Sequence, residues 1–248
     1  MRYAILADIH ANRQALEACL VHLAGQRIDR LIYLGDMVGY GADPNWVLDQ
    51  VRTDIARGRA EALLGNHEEA VLASKASGMN AVAEAAIAWQ RGRLAADERA
   101  FMAALPLTIE ADGIHFVHAD PAAPARWNYV TDTASAAQSL KGSKAVLSFC
   151  GHVHRPALYG ENGAGRIIAF RPPANEAVPL LRPRRWLAVM GAVGQPRDGN
   201  PAACYGIFDS ATAECTWQRV PYDVEAAAAA IRAAGLPEPL AARLSRGE

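Results

Sequence analysis

The sequence predicts an α/β fold, and three observations carry that prediction. Strand-like apolar runs alternate with amphipathic stretches through the first 65 residues, an Ala-rich helical stretch follows, and the remainder is strand-rich with turn signals between the runs. The opening β-α-β-α-β order calls for a parallel sheet with right-handed crossovers. At 248 residues and 26.5 kDa the chain can bury a sizeable core without a staple. No repeat, linker or break in composition divides it, so residues 1–248 are read as one domain.

In chain order, Tyr3 to Ala7 reads as a buried strand. Gln14 to Leu23 reads as a helix, with Ala15, Leu16, Cys19, Leu20 and Leu23 at helical spacing. Leu31 to Leu34 is a second strand, and Trp46 to Val51 a second helix opened by Asp43 as cap and Pro44 in its first turn. Ala60 to Leu64 is a third strand. Glu68 to Ala104 reads as two or three helices, broken near Gly78 and Gly92 and ended before Pro106. Strands are then expected at Leu107 to Ile109, Ile114 to His118, Ala145 to Cys150, Ile167 to Phe170, Leu187 to Val189, Tyr205 to Phe208 and Cys215 to Val220. The alanine run from Ala226 to Ala230 marks a last helix. Asp120 to Asn128 and Arg171 to Arg185 are Pro-rich and irregular, and long loops of this kind often wall a site.

Composition excludes several classes. Hydrophobic residues at 51% and charged residues at 21% fit a soluble globular chain rather than a disordered or membrane-embedded one. A net charge of -1 provides no field to hold nucleic acid or an anionic membrane. Cys19, Cys150, Cys204 and Cys215 are scattered, which indicates neither a zinc knuckle nor a disulfide framework and fits a reducing cytoplasm. The apolar run before Asp8 is too short for a signal-peptide core. The expectation is a cytoplasmic protein with no nucleic-acid coat and no membrane partner. Homo-oligomerisation is compatible with all of this.

Five predicted strands end in polar clusters. The first ends in Asp8-Ile9-His10, the second in Gly35-Asp36 and the third in Gly65-Asn66-His67-Glu68. Later strands end in Val117-His118 and in Gly151-His152-Val153-His154. Ligands of open α/β sheets collect outside the carboxyl ends of strands, so clusters far apart in sequence should converge in space. Imidazoles, carboxylates and one amide without thiolate suit Mn, Fe, Zn, Co or Ni. The set is too large for one ion, whereas two ions about 3.5–4 Å apart would use the surplus and clamp an in-line displacement at phosphorus.

The order Asp8-x-His10, Gly35-Asp36, Gly65-Asn66-His67-Glu68, His118, Gly151-His152-x-His154 resembles the calcineurin-like metallophosphoesterases over most of the chain. Gly191-Ala192-Val193-Gly194-Gln195-Pro196-Arg197-Asp198-Gly199 is similar to the Gly-Ser-Val-Gly-Gln-Pro-Arg-Asp segment of a small prokaryotic branch of that family. Gly35-Asp36-Met37-Val38-Gly39-Tyr40-Gly41 points to the same branch. The resemblance implies a four-layer α/β/β/α sandwich of two mixed sheets with a dinuclear centre at the strand ends. It implies Asp8, His10, Asp36 and His154 around one divalent or trivalent ion, and Asp36, Asn66, His118 and His152 around the other, with Asp36 bridging. His67 would face the scissile phosphate, with Glu68 beside it to orient the ring. Ala11 and Ala119 stand where Gly is usual, and Ala192 where the branch often has Ser, which touches the fine shape of the pocket rather than the ligands.

Two cations acidify a bridging water, supply a hydroxide nucleophile and neutralise the phosphoryl oxygens. His67 would then protonate the leaving alkoxide. The expected activity is hydrolysis of a small phosphomonoester or phosphodiester, with nucleotides included. A dinucleoside polyphosphate hydrolase and a protein phosphatase would share the same centre. A non-catalytic scaffold would be expected to have lost ligands, and the neutral charge disfavours a nuclease.

Outside the clusters, Arg197 meets either a substrate oxyanion or Asp198, and Asn12 either a phosphate or the helix it precedes. Tyr40, Trp127, Asn128 and Tyr129 line a leaving-group pocket or simply pack. His22, His115 and Cys150 read as structural. Arg182, Arg184 and Arg185 either guide an anion or form a solvated basic loop.

Overall fold

A computed structural model of the protein describes residues 1–74 and 78–248. The strands are β1 (Arg2–Leu6), β2 (Arg30–Tyr33), β3 (Ala60–Ala62), β4 (Thr108–Ala111), β5 (Ile114–Val117), β6 (Leu147–Cys150), β7 (Ala157–Glu161), β8 (Ile167–Phe170), β9 (Ala177–Pro179), β10 (Trp186–Val189), β11 (Ala203–Asp209) and β12 (Glu214–Val220). The α-helices are α1 (Arg13–Ala24), α2 (Pro44–Ala56), α3 (Asn66–Leu72), α4 (Ala81–Arg91), α5 (Ala96–Ala103), α6 (Thr133–Gly142), α7 (Val224–Ala233) and α8 (Glu238–Ala242).

The strands form two mixed sheets, ordered β3-β2-β1-β11-β12-β9 and β4-β5-β6-β10-β7-β8. In the first, β1 pairs in parallel with β2 and β2 with β3, as the opening β-α-β-α-β pattern requires. In the second, β6 is parallel to both β5 and β10. Side-chain alternation explains the layering. Tyr3 and Ile5 of β1 enter an apolar core with Phe116, Phe149, Trp186, Ala188, Phe208 and Trp217, which joins the two sheets. Ala4 and Leu6 face the other way, onto Leu16, Cys19, Val47 and Val51 of α1 and α2. A strand buried on both faces has no polar side, hence its uninterrupted apolar run. Beyond the second sheet, Val117, Leu187 and Val189 pack on Ala136 and Leu140 of α6. The order of layers is therefore α/β/β/α.

Several boundaries differ from the sequence expectation. The second helix runs on to Ala56, because Asp54 is buried at its end and accepts a 2.8 Å hydrogen bond from the Tyr33 hydroxyl. Asp43 makes no side-chain cap, although Pro44 does open the helix. The stretch from Glu68 to Ala104 holds three helices, and its residues 75–77 lie outside the described residues. Helix α6 escapes notice because its TASAAQSLKG sequence offers a narrow apolar stripe, and it is nucleated by Asp132 accepting from the Ser135 amide. Strand β7 and the short β9, inside the Pro-rich stretch, are also additions. That stretch lines a groove with Phe170 and Trp186, where Arg184 lies over the Trp186 ring. All four cysteines are free and buried. Among the described residues, no helix is long and apolar enough to cross a membrane.

Candidate metal centre

The parallel strands of both sheets end at one edge, where the exit loops of β1 and β10 are tied together. The amides of Val193 and Gly194 donate to the carbonyls of Ala7 and Asp8, both at 2.9 Å. This brings Asp8 and His10 from β1, Asp36 from β2, His118 from β5, and His152 and His154 from β6 into one buried cluster. Asn66 and His67 join it from the start of α3.

Each of the four ligand-like histidines spends one ring nitrogen on a backbone carbonyl. Nδ1 of His10, His118 and His154 faces the carbonyls of Val38, Leu34 and Gln195 at 3.0, 2.9 and 2.7 Å. His152 uses Nε2 instead, on the Trp127 carbonyl at 3.0 Å. A carbonyl can only accept, so these nitrogens carry the proton and the opposite nitrogens present lone pairs to the cluster. Those lone pairs face one another: His10 Nε2 is 3.0 Å from His154 Nε2, and His118 Nε2 is 3.2 Å from His152 Nδ1. Two acceptors at that distance need a positive charge between them.

The donors fall into two groups whose atoms lie within 4.8 Å of one another: Asp8, His10, Asp36 and His154, and Asp36, His118 and His152. Asp36 belongs to both. Its Oδ1 accepts from the His67 amide at 2.9 Å, but Oδ2 is buried with no hydrogen-bond partner. That oxygen stands 3.3 Å from His118 Nε2, 3.7 Å from His10 Nε2 and 4.0 Å from His67 Nε2. Asn66 Oδ1 lies 3.1 Å from His118 Nε2, on the side of the second group. A buried carboxylate oxygen without a donor is costly, and a cation at the shared corner would satisfy it.

The backbone is strained to make this arrangement. Asp8, His10, Ala11, Asp36, Tyr40, His152 and His154 all have φ between 50° and 67°. Left-handed conformations cost L-residues roughly 1–2 kcal/mol each, and their clustering at one place marks a functional site. Two glycines permit close approach: a Cβ at Gly39 would strike the His67 ring, and one at Gly151 would meet Asp8 Oδ2 at 2.7 Å.

Burial pushes the Asp8 carboxyl up to about 8. Burial alone would raise Asp36 as well, but His118 and His67 beside it hold it well below the carboxylate range. Burial keeps His10 and His154 well below 6.5 and His152 at about 3, so these rings are neutral, as ligands must be. His118 is the exception: burial opposes its charge, yet Asp36 outweighs burial and lifts it to about 9.

Other expected site residues have different places. Asn12 caps α1 through Oδ1 on the Ala15 amide, and its Nδ2 donates to the Gly194 carbonyl and the Tyr222 hydroxyl. Both Nδ2 protons are committed within the fold, so Asn12 serves as a structural cap. Glu68 does not orient His67. Its carboxylate accepts from the amides of Asp36, Val38 and Gly65 at 2.8, 3.0 and 2.8 Å, fixing the loop that carries Asp36. Arg197 does not pair with Asp198, which is taken by Arg219 and Arg171. Its Nη2 instead reaches Gln195 Oε1 at 2.9 Å and the Tyr40 hydroxyl at 3.4 Å. Tyr40 packs against His10 and His67 with ring centres 4.5 and 4.6 Å away. Tyr129 stacks on His152 at 4.1 Å, and Asn128 holds the same loop through Asp120. His22 bonds the Tyr205 hydroxyl at 2.7 Å, away from the cluster.

Two contributors, Gln90 and Arg243, have no motif signal. Gln90 of α4 accepts from the Gly39 amide at 2.6 Å and donates to the Gly41 carbonyl at 2.9 Å, holding the loop against His67. Arg243 acts at the rim, on the side chain of Gln195 from the Gly191 to Gly199 segment. Only distant pairing could have revealed them.

This layered fold with a buried histidine and carboxylate cluster at its strand ends defines a metallophosphoesterase, and residues 1–213 match the calcineurin-like phosphoesterase superfamily domain, so the chain belongs to that superfamily. The uncharacterized protein MJ0912 of Methanocaldococcus jannaschii is 33% identical over 254 residues, covering 98% of this chain and 97% of that protein. The crystal structure of a metallophosphoesterase from Sphaerobacter thermophilus superposes with a TM-score of 0.88 at 35% identity, covering 100% and 99% of the two chains. Hypothetical protein PH1004 from Pyrococcus horikoshii OT3 shares the fold at a TM-score of 0.79 and 19% identity, over 100% of this chain and 98% of that one.

Proposed function

We propose that this metal-dependent phosphoesterase is dinuclear and hydrolyses a small phosphomonoester or phosphodiester, nucleotides included. The observation that supports two ions is Asp36, shared by both donor groups, with an unpartnered Oδ2 at their common corner. Asp8, His10, Asp36 and His154 would hold one ion, and Asp36, Asn66, His118 and His152 the other. Nitrogen and oxygen donors without thiolate suit Mn, Fe, Zn, Ni or Co. When bound, such a pair supplies positive charge to the phosphoryl oxygens and lowers the pKa of water.

The chain's own residues do the rest. His67 belongs to neither donor group, and its Nδ1 is buried without a partner. Its ring is wedged by Tyr40 at 4.6 Å and His10 at 4.7 Å, so it is held still. From there it donates a proton to the leaving oxygen. Tyr129, 55% exposed and stacked on His152, offers an aromatic face to the leaving group.

The test is metal analysis of purified protein, followed by a panel of mono- and diesters with Mn, Fe, Ni and Zn. The panel includes a dinucleoside polyphosphate and a phosphopeptide, substrates the same centre could serve. Two ions per chain with metal-dependent release of phosphate or of an alcohol supports the reading. Absence of both would leave a scaffold.

A further inference from the structure

Two arginines meet at the rim of the centre. Arg197 comes from the loop after β10, and its own amide donates to the His154 carbonyl at 3.0 Å. Arg243 follows α8, beyond the 1–213 segment that matches the superfamily domain. The two guanidinium groups meet at one neutral acceptor: Arg197 Nη2 and Arg243 Nη1 lie 2.9 and 3.2 Å from Gln195 Oε1. Both also flank one ring, with their Cζ atoms 5.7 and 6.0 Å from the centre of Tyr40. That same ring touches His10 and His67.

Like charges are brought together here, and Glu248, whose charge acts on Arg243, is itself paired with Arg246. Among the described residues, neither arginine has a carboxylate within 4.0 Å, and the adjacent Asp198 is occupied by Arg219 and Arg171. Arg197 Nε is buried and has no acceptor. Half-buried guanidinium groups with unused donors are built for an anion, which their planar forks bind in bidentate fashion. Ions held by the two donor groups beyond Tyr40 would meet the charge of the scissile phosphoryl, which leaves these guanidinium donors for another anion.

We propose that the substrate carries a second anionic group, a phosphate or a carboxylate, on its leaving-group side, and that Arg197 and Arg243 bind it across Gln195. This rests on the phosphoesterase reading of the centre and names its substrate class. Arg243 is a specificity-determining residue: it acts on the far end of the substrate and leaves the reacting atoms to His67 and the ligand cluster.

The experiment compares 4-carboxyphenyl phosphate, 1,4-phenylene bisphosphate and the neutral 4-carbamoylphenyl phosphate on the Mn-loaded protein and on Arg243→Gln and Arg243→Lys. The wild type should favour either anionic ester over the neutral one by about tenfold or more in kcat/KM, as charge-assisted bidentate contacts do. In Arg243→Gln that ratio should fall toward one through KM, and Arg243→Lys should retain part of it. The carboxylate and bisphosphate arms tell the two anions apart. A wild-type ratio near one, or a ratio unchanged in Arg243→Gln, overturns the proposal. Calorimetric binding of 4-carboxybenzylphosphonate against benzylphosphonate reads the same preference without turnover. If no ester is cleaved but the carboxylate preference persists and depends on Arg243, the hydrolytic reading fails and the anion site stands.

Discussion

His10 Nε2 and His154 Nε2 face each other at 3.0 Å, while the opposite nitrogen of each ring faces a carbonyl. Two lone pairs held so close repel unless a cation lies between them. Chelation should therefore destabilise the protein and added Mn or Zn should restore it, by about 2.7 kcal/mol at a hundredfold excess over Kd. Thermal unfolding with EDTA and with stepped metal checks this. Identical melting temperatures in both would contradict it.

Asp36→Asn removes the donor shared by both groups. Because even outer-shell partners of metal ligands cost 10–100-fold, affinity should fall by at least about 100-fold at both positions. Metal content per chain, measured after dialysis, should drop toward zero. Loss of only one ion would mean that Asp36 is not shared.

His67→Asn should leave the metal content intact and cut kcat by roughly 10²–10⁴-fold on an alkyl phosphate. On p-nitrophenyl phosphate, whose leaving group needs no proton, the loss should be smaller. Equal losses on both esters would remove the proton-donor role.

Glu68→Gln should cost stability rather than chemistry. Three backbone amides converge on the carboxyl, which burial pushes up to about 7, and above that pH hydrogen bonds to the charged group contribute about 1.5–3 kcal/mol each. Denaturant unfolding should show a loss of at least about 2 kcal/mol. Neutral behaviour would mean that the Asp36 loop holds itself.

The metal-free protein should have a stability optimum near pH 6.5. Asp8 is raised from 3.8 to about 8 and His118 from 6.5 to about 9, so the folded state holds protons that the unfolded chain releases. That contribution is lost as pH rises through the folded values, so stability falls between about pH 6.5 and 9. Below 6.5 the lowered His10, His152 and His154 reverse the slope, since the unfolded chain binds their protons. Bound metal should flatten the alkaline decline by replacing those protons. Calorimetric scans across pH with and without EDTA decide it, and an EDTA curve still rising at pH 8 would refute it.

The strand-end clusters were legible because a buried parallel strand leaves an apolar run that stops abruptly at polar residues, as at Ala7-Asp8 and Leu34-Gly35-Asp36. Local signals of this kind do not say where a side chain turns. Glu68 follows His67 directly, yet its position in the first turn of α3 sends it to the amides of the neighbouring loop. Gln90 and Arg243 were invisible for another reason: each acts through a partner from a different part of the chain. Strand β7 was missed because Gly160, packed flat against Trp186, interrupts its apolar pattern.

The pairing of β1 with β11, Tyr3 opposite Phe208, sets a clock on the centre. During synthesis at about 5–20 residues per second, the first strand waits on the order of ten seconds or more for its second neighbour. His154 and the carbonyl of Gln195 that sets its ring emerge only late in that interval. The group of Asp8, His10, Asp36 and His154 cannot close on a nascent chain that lacks them. Ion capture is then a finishing event, and which metal is taken reflects what the surrounding compartment offers a completed fold, since affinity alone ranks metals the same way for any such site.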